Sequence, residues 1–236
     1  MEKDAIVSIK NLTKQFPVGK GHFTALSDVN IEFGVGEFAG LVGPSGSGKT
    51  TLLNIIGSLD TPTAGTAMVM GQSISDLSHK QSALLRSRHI GFIFQTFNLL
   101  PVYTVYENVE FALLLQRMNS VERHKAVMEA LEWVGLIDKM KSKPSMLSGG
   151  ESQRVAIARA MVKKPKIVLA DEPTANLDSK NSHHILQTMK KLNKELKVTF
   201  IFATHDEKVM KYLDRIVNLA DGKIAADERI TDHIKA

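Results

Sequence analysis

Cysteine is absent from the 236 residues, which excludes a disulfide framework and a thiolate zinc site and fits a reducing compartment. No apolar run approaches the roughly 20 residues that a bilayer-crossing helix needs, so any work at a membrane is expected to depend on another chain. Met1 to Lys10 carries acidic residues where a secretory signal has a basic cap and a long apolar core, so no export address is expected. Blocks of like charge are missing too. Lys and Arg outnumber Asp and Glu by 30 to 25, a formal net charge of +5, but the excess is spread along the chain. That pattern describes a solvated surface better than a nucleic-acid or anionic-membrane face. The seven prolines are scattered, and no repeat or low-complexity tract marks a linker. With 43% hydrophobic residues the chain can bury a full core, and a single domain over 1–236 is expected.

The apolar pattern changes character along the chain. Residues 5–9, 23–33 and 65–70 are short alternating runs, with Leu26, Val29, Ile31 and Phe33 among them, broken by Gly34, Gly36 and Gly71. They predict an antiparallel sheet. From about 96 to 162 the period turns helical: Val127, Ala130, Leu131 and Val134 fall at i, i+3, i+4 and i+7, and Gly135 follows as a stop. Residues 167–170 and 198–203 are continuous apolar runs of strand length with a helical stretch between them, the pattern of buried parallel strands. Near the end, Asp221-Gly222 separates two strand-like runs, 215–220 and 223–226, as a hairpin turn does. The sum is an α/β class: a core of parallel strands, an antiparallel β subdomain, and a helical subdomain inserted at about 96–162.

Chemistry concentrates in three places. Residues 38–42 form an apolar strand, Gly43-Pro44-Ser45-Gly46-Ser47-Gly48-Lys49-Thr50 follows, and Thr51 to Ile56 predict a helix. Backbone N–H groups of such a loop cradle phosphates, the lysine reaches the β and γ oxygens, and the threonine hydroxyl binds magnesium. Side chains at the glycines would keep the backbone from the anion. The pattern implies ATP with Mg2+ and places Lys49, Thr50 and Thr51 on the nucleotide. Second, the run Ile167 to Ala170 ends in Asp171-Glu172, two carboxylates at the carboxyl end of a buried strand, where α/β sheets bind ligands. Asp171 is expected to hold the metal through water and Glu172 to orient and deprotonate the attacking water. The alternative for this pair alone is a helix N-cap. Third, Leu147-Ser148-Gly149-Gly150-Glu151 precedes an amphipathic run, 152–162, a second glycine-rich turn opening onto a helix. One chain does not need two anion cradles for one nucleotide.

With Gln95 ahead of the helical segment, Asn176-Leu177-Asp178 after the carboxylates and His205 at the end of the next strand, this order resembles the nucleotide-binding subunits of ABC transporters over nearly the whole chain. The resemblance implies the ABC ATPase fold: a phosphate-loop NTPase core with an antiparallel β subdomain and an α-helical one. It implies that Gln95 touches magnesium and water and senses a transport partner. Ser148, Gly149 and Gly150 would contact the γ-phosphate held by the opposite subunit of a head-to-tail homodimer. Asp178 would link the two sites, His205 would touch the γ-phosphate, and Phe16 would stack on adenine. For Gln95 and His205 the alternatives are ordinary surface or structural residues; Phe16 and Phe23 have a place in the core as their alternative. Glu151 departs from the pattern, which usually has glutamine there.

Within the family, Asn98-Leu99-Leu100-Pro101 after Gln95, and Asn54-Ile55-Ile56-Gly57 with Leu59-Asp60 after the loop, look most like the group holding the lipoprotein-releasing Lol ATPase, MacB and FtsE. MacB carries its membrane region on the same chain, so a separate-subunit system of the LolD type fits better. The resemblance then implies integral membrane permease partners and a peripheral place on the cytoplasmic face of the cell membrane. Residues following Gln95, Phe97, Leu99, Leu100, Val102, Tyr103 and Tyr106, are expected to receive a permease helix, with packing inside the helical subdomain as their alternative. A soluble ABC ATPase acting on nucleic acid or ribosomes is the competing class. No nucleic acid is expected, because no long coiled coil separates Lys49 from Ser148. A small-molecule kinase explains neither the second turn nor His205.

Overall fold

The computed structural model describes residues 5–230. Residues 1–4 and 231–236, which belong to the single-domain reading, and the Met1–Asp4 part of the chain start lie outside the described residues. In chain order the elements are β1 (Ala5–Val18), β2 (Gly21–Gly34), β3 (Phe38–Val42), α1 (Lys49–Ile56), β4 (Ala64–Val69), β5 (Gln72–Ser73), α2 (His79–His89) and β6 (Ile90–Ile93). Then follow α3 (Val105–Glu110), α4 (Ser120–Trp133), α5 (Gly149–Met161), β7 (Ile167–Asp171), α6 (Ser179–Leu196), β8 (Thr199–Thr204), α7 (Glu207–Met210), β9 (Arg215–Ala220) and β10 (Lys223–Arg229).

Two sheets form. One is antiparallel with order β2-β1-β4-β5; the other has order β10-β9-β3-β8-β7-β6, parallel from β9 to β6 and closed at one edge by the β9-β10 hairpin. The hairpin turn sits on Asp221 and Gly222, both at positive φ (47° and 74°), which suits the right-handed twist of its strands. Period-two alternation divides the six-stranded sheet between two cores. Phe38, Val168, Phe200 and Phe202 face α3 to α6, while Ala39, Leu41, Leu169 and Ile201 face α1 and the antiparallel sheet. Phe200 and Phe202 are fully buried, so truncating either to alanine should cost about 3–5 kcal/mol. Arg215 ties the layers together by donating to Glu32 O at 2.7 Å, to Glu37 Oε2 at 2.9 Å and to both oxygens of Asp227 at 2.8 and 2.6 Å. Those carboxylates push its guanidinium pKa up against the opposing effect of burial.

Helices α3, α4 and α5 lie between β6 and β7, and the periodic set is buried among them: Val127, Ala130 and Leu131 fully and Val134 nearly so. Three of the boundaries that differ from the expectation have a physical reason. Strand β1 continues to Val18, because bulges around Asn11 break the alternation that made only residues 5–9 legible. Helix α1 begins at Lys49, two residues early, with Gly48 as a left-handed N-cap (φ 101°). Helix α5 begins at Gly149 because Ser148 caps it, so the two glycines belong to its first turn.

Candidate nucleotide site

Strand register alone gathers the chemistry. Val42, the last residue before the phosphate loop, lies opposite Thr204, the residue before His205; Asp171 lies opposite Ala203; and Ile93, two residues before Gln95, lies opposite Ala170. Four parallel neighbours therefore end together, and everything they release meets at their carboxyl edge.

In the phosphate loop, Lys49 Nζ donates to Gly43 O at 2.7 Å and to Pro44 O at 2.8 Å, curling the loop round its own ammonium. Burial pushes the Lys49 pKa down, opposed by the Glu172 and Asp171 carboxylates. Ser47 Oγ is buried without a partner and packs close to Gly43, where an added Cβ would lie 2.9 Å from it, and the first turn of α1 that follows leaves N–H groups with no intrahelical partner. Pro44, Ser45 and Gly46 form the exposed tip. Thr50 Oγ1 donates to Asp171 Oδ1 and Oδ2 at 3.2 and 3.1 Å. Burial raises the Asp171 pKa, with Glu172 adding to it and the Thr50 hydroxyl and Lys49 opposing. A divalent cation beside it would favour the charged form. Among the described residues no cluster of three or more His, Asp or Glu side chains is poised as a metal cage. The set fits magnesium, which takes one or two protein oxygens and completes its octahedron with phosphates and water.

Glu172 stands in left-handed backbone at φ 44°. His205 Nδ1 lies 2.6 Å from its Oε1, and Thr204 Oγ1 donates to its Oε2 at 3.0 Å. Gln95 is exposed and linked to the site through its backbone, its carbonyl accepting from Asn176 Nδ2 at 2.9 Å. Asp178 is exposed and caps α6, accepting from Asn181 N at 2.8 Å and Asn181 Nδ2 at 2.6 Å, which holds its carboxyl below the usual range.

The cleft beside the loop, about 210 Å³, is lined by Phe16, Phe23, Ala25, Gly46, Gly48, Lys49, Thr50 and Thr51. Phe16 and Phe23 are direct cross-strand partners. Phe16 is half-buried with Lys14 Nζ 4.9 Å above its ring, and Phe23 is 56% exposed, so neither is a core residue. Sequence reasoning weighed Phe23 only as core filler; its cue was the even register with Phe16 across the β1-β2 turn. Thr204 was missed as well, and its cue is adjacency to His205. Ser148, Gly149 and Gly150 line no part of this cleft. Instead Ser148 Oγ accepts from Glu151 N at 3.3 Å and Glu151 Oε2 accepts from Ser148 N at 2.8 Å, a capping box that glutamate serves as well as glutamine. Gly150 packs so closely on Asn181 that an added Cβ would lie 2.4 Å from its Oδ1, which fixes the turn against the start of α6.

A glycine loop between a parallel strand and a helix, with a carboxylate from β7, one strand beyond the adjacent β8, on its threonine, defines a phosphate-loop nucleotide-binding protein. The sequence profile of the ABC transporter family matches residues 26–175, and the chain belongs to that family as an ATP-binding and ATP-hydrolysing cassette. It is 46% identical to the uncharacterized ABC transporter ATP-binding protein YvrO of Bacillus subtilis, over 95% of this chain and 97% of that one. It is 43% identical to the lipoprotein-releasing system ATP-binding protein LolD of Pseudoalteromonas translucida, over 95% and 97%. The structure superimposes with a TM-score of 0.88 on the dimeric post-hydrolysis state of the ATP-binding cassette MJ0796 bound to ADP and Pi, at 43% identity over 95% of this chain and 99% of that chain. That cassette comes from Methanocaldococcus jannaschii.

Proposed function

We propose that the chain is a single nucleotide-binding domain, 1–236, that works as a head-to-tail homodimer on Mg2+ and ATP and drives a separate membrane permease. The convergence of Thr50 with Asp171 and of Glu172 with His205 at one sheet edge carries this reading. Gly43 to Thr51 bind the phosphates, with Lys49 on the terminal ones. Thr50, Asp171 and Gln95 would hold the magnesium, which would supply charge neutralisation of the transferring phosphoryl group. Glu172 takes the proton of the attacking water, and His205 exchanges its contact with Glu172 for one with the γ-phosphate. Phe16, with Phe23 beside it, packs on the base. Ser148, Gly149 and Gly150 cap the nucleotide of the opposite subunit, and Asp178 couples the two sites.

The permease face lies beside the loop after β6. Leu99 and Tyr106 pack into the helical core, so those two are withdrawn from the surface expected on sequence. Val102 (70% exposed) and Tyr103 remain, joined by Phe111, Leu114 and Leu115, an apolar patch that invites a partner. A neighbouring cleft of about 300 Å³ between Phe92, Phe94, Leu100, Phe111 and Arg159 accepts a short helix. Identity to LolD supports a lipoprotein-release or related MacB-like export system and a place on the cytoplasmic face of the cell membrane. No described helix is long and apolar enough to cross a membrane, which fits a separate permease.

Complementation tests the shared site. A heterodimer of Lys49→Ala with Ser148→Arg keeps one intact composite site, whereas the doubly substituted chain paired with wild type keeps none. ATPase is expected from the first heterodimer once isolated from homodimers, and not from the second isolated in the same way. Equal activity in both, with heterodimers demonstrated, would sink the reading.

A further inference from the structure

Glu172 must present one oxygen to water from a backbone that L-residues adopt at a cost (φ 44°). Its amide donates to Ala203 O at 2.9 Å, which anchors the main chain to the end of β8, but this leaves a three-torsion side chain to be fixed. Two groups fix it, and they differ in permanence. His205 is 60% exposed on its side chain, whereas the Glu172 side chain is 16% exposed; the imidazole sits at the surface and is free to leave. Thr204 is fully buried at the last position of β8, opposite Val42, and cannot leave without breaking the sheet.

The Thr204 hydroxyl also has a defined polarity. It accepts from Asp206 N at 3.0 Å. A hydroxyl carries one hydrogen and two acceptor sites, so with Asp206 N–H on an acceptor site, its own hydrogen is directed at Glu172 Oε2, 3.0 Å away. The threonine methyl and the strand backbone hold this rotamer.

We infer that Thr204 is a positioning residue for Glu172: its hydroxyl retains Oε2 throughout the cycle, so that Oε1, the oxygen now against His205, is the one presented to water once the imidazole moves to phosphate. The inference rests on the proposed reading of Glu172 as the base. It makes the two carboxylate oxygens inequivalent, one tethered and one exchangeable.

The test compares Thr204→Val, Thr204→Ala and Thr204→Ser in the purified full chain with Mg-ATP. Valine keeps the β-branched shape and removes the hydroxyl; alanine removes it without risk of overpacking; serine restores it. Expected are kcat values lowered about 10-fold or more for valine and alanine, since a displaced catalytic group loses rate steeply. Their KM and ATP affinity should stay within about 2-fold, and serine should be within about 3-fold of wild type. In single-turnover measurements on a Glu172→Gln background, Thr204→Val should add no further loss, because residues acting through one another are not additive. A Thr204→Val or Thr204→Ala enzyme with wild-type kcat overturns the inference. So does a serine variant as slow as valine, or an equal further loss on the Glu172→Gln background. Near-normal turnover by Glu172→Gln alone would instead remove Glu172 as base, a separate outcome from any of these.

Discussion

Lys163 shows what one buried side chain implies at the scale of a residue. It follows the last turn of α5, donates from Nζ to Arg86 O at 2.7 Å, and burial pushes its pKa down to about 8. In the unfolded chain the ammonium titrates near 10.4. Between those values the unfolded chain holds a proton that the folded chain has released, so stability rises with pH through that window. Below about pH 8 both states are protonated and the burial penalty is present in full. Lys163→Met removes the titration. The stability of wild type relative to this variant should therefore improve by on the order of 2 kcal/mol between pH 7.5 and 10, read from urea midpoints. A difference that stays flat with pH would mean that Lys163 titrates like a solvated lysine. The Glu172 geometry belongs to the same scale, and nothing in an apolar run ending in Asp-Glu announces a left-handed glutamate.

Helix α5 couples two loops that the chain order separates. Its first turn carries Gly149 and Gly150, and near its far end Arg159 donates to Asn98 O and Phe97 O, both at 2.6 Å. Phe97 and Asn98 are both at positive φ, a conformation that needs outside support. Burial lowers the Arg159 pKa. Arg159→Lys keeps the charge but replaces a planar fork with a single ammonium that cannot span both carbonyls as a fork does. Amide exchange over residues 97–100 should accelerate by roughly 10-fold while the strands of the six-stranded sheet keep their protection. Unchanged exchange there would show that Asn108, which accepts from Leu100 N at 2.7 Å, holds the loop unaided.

Legibility at the element scale followed the physics of burial. The α4 stripe was readable because one face is buried at helical spacing, and β7 and β8 because both faces are. Helix α2 was not: Leu85 is its one buried residue, so no stripe existed to count. Strand β6 has four residues, too short to register a period before the loop at Gln95. The chemistry proposed for the site was easier to read than the elements. Every residue type that must touch phosphate or metal is chemically constrained, whereas Phe23 and Thr204 act through position, which strand register sets and local pattern does not reveal.

At the scale of the whole molecule, the proposed function makes one chain half of two sites. The phosphate loop, Asp171, Glu172 and His205 share one sheet edge, while the turn at Ser148 packs on Asn181 and Leu177 and lines no part of the cleft beside the loop. On the proposed reading a two-fold arrangement satisfies both halves, each turn covering the other's nucleotide. On that reading the γ-phosphate joins the subunits and its loss by hydrolysis releases them, so association is expected to follow ATP binding and dissociation to follow hydrolysis. Glu172→Gln separates the two events by blocking proton removal while preserving the shape of the site, and turnover should fall by roughly 100-fold or more. In sedimentation velocity this variant should be monomeric without nucleotide and with ADP, and dimeric with Mg-ATP. Wild type should pass through the dimer transiently as ATP is consumed. Adding Ser148→Arg to Glu172→Gln places a bulky cation in the turn and should return the ATP-bound variant to monomer without weakening ATP binding to the isolated subunit. A dimer that persists after that change, or a Glu172→Gln protein that stays monomeric at saturating Mg-ATP, would detach the signature turn from the interface and with it the coupling of hydrolysis to subunit separation.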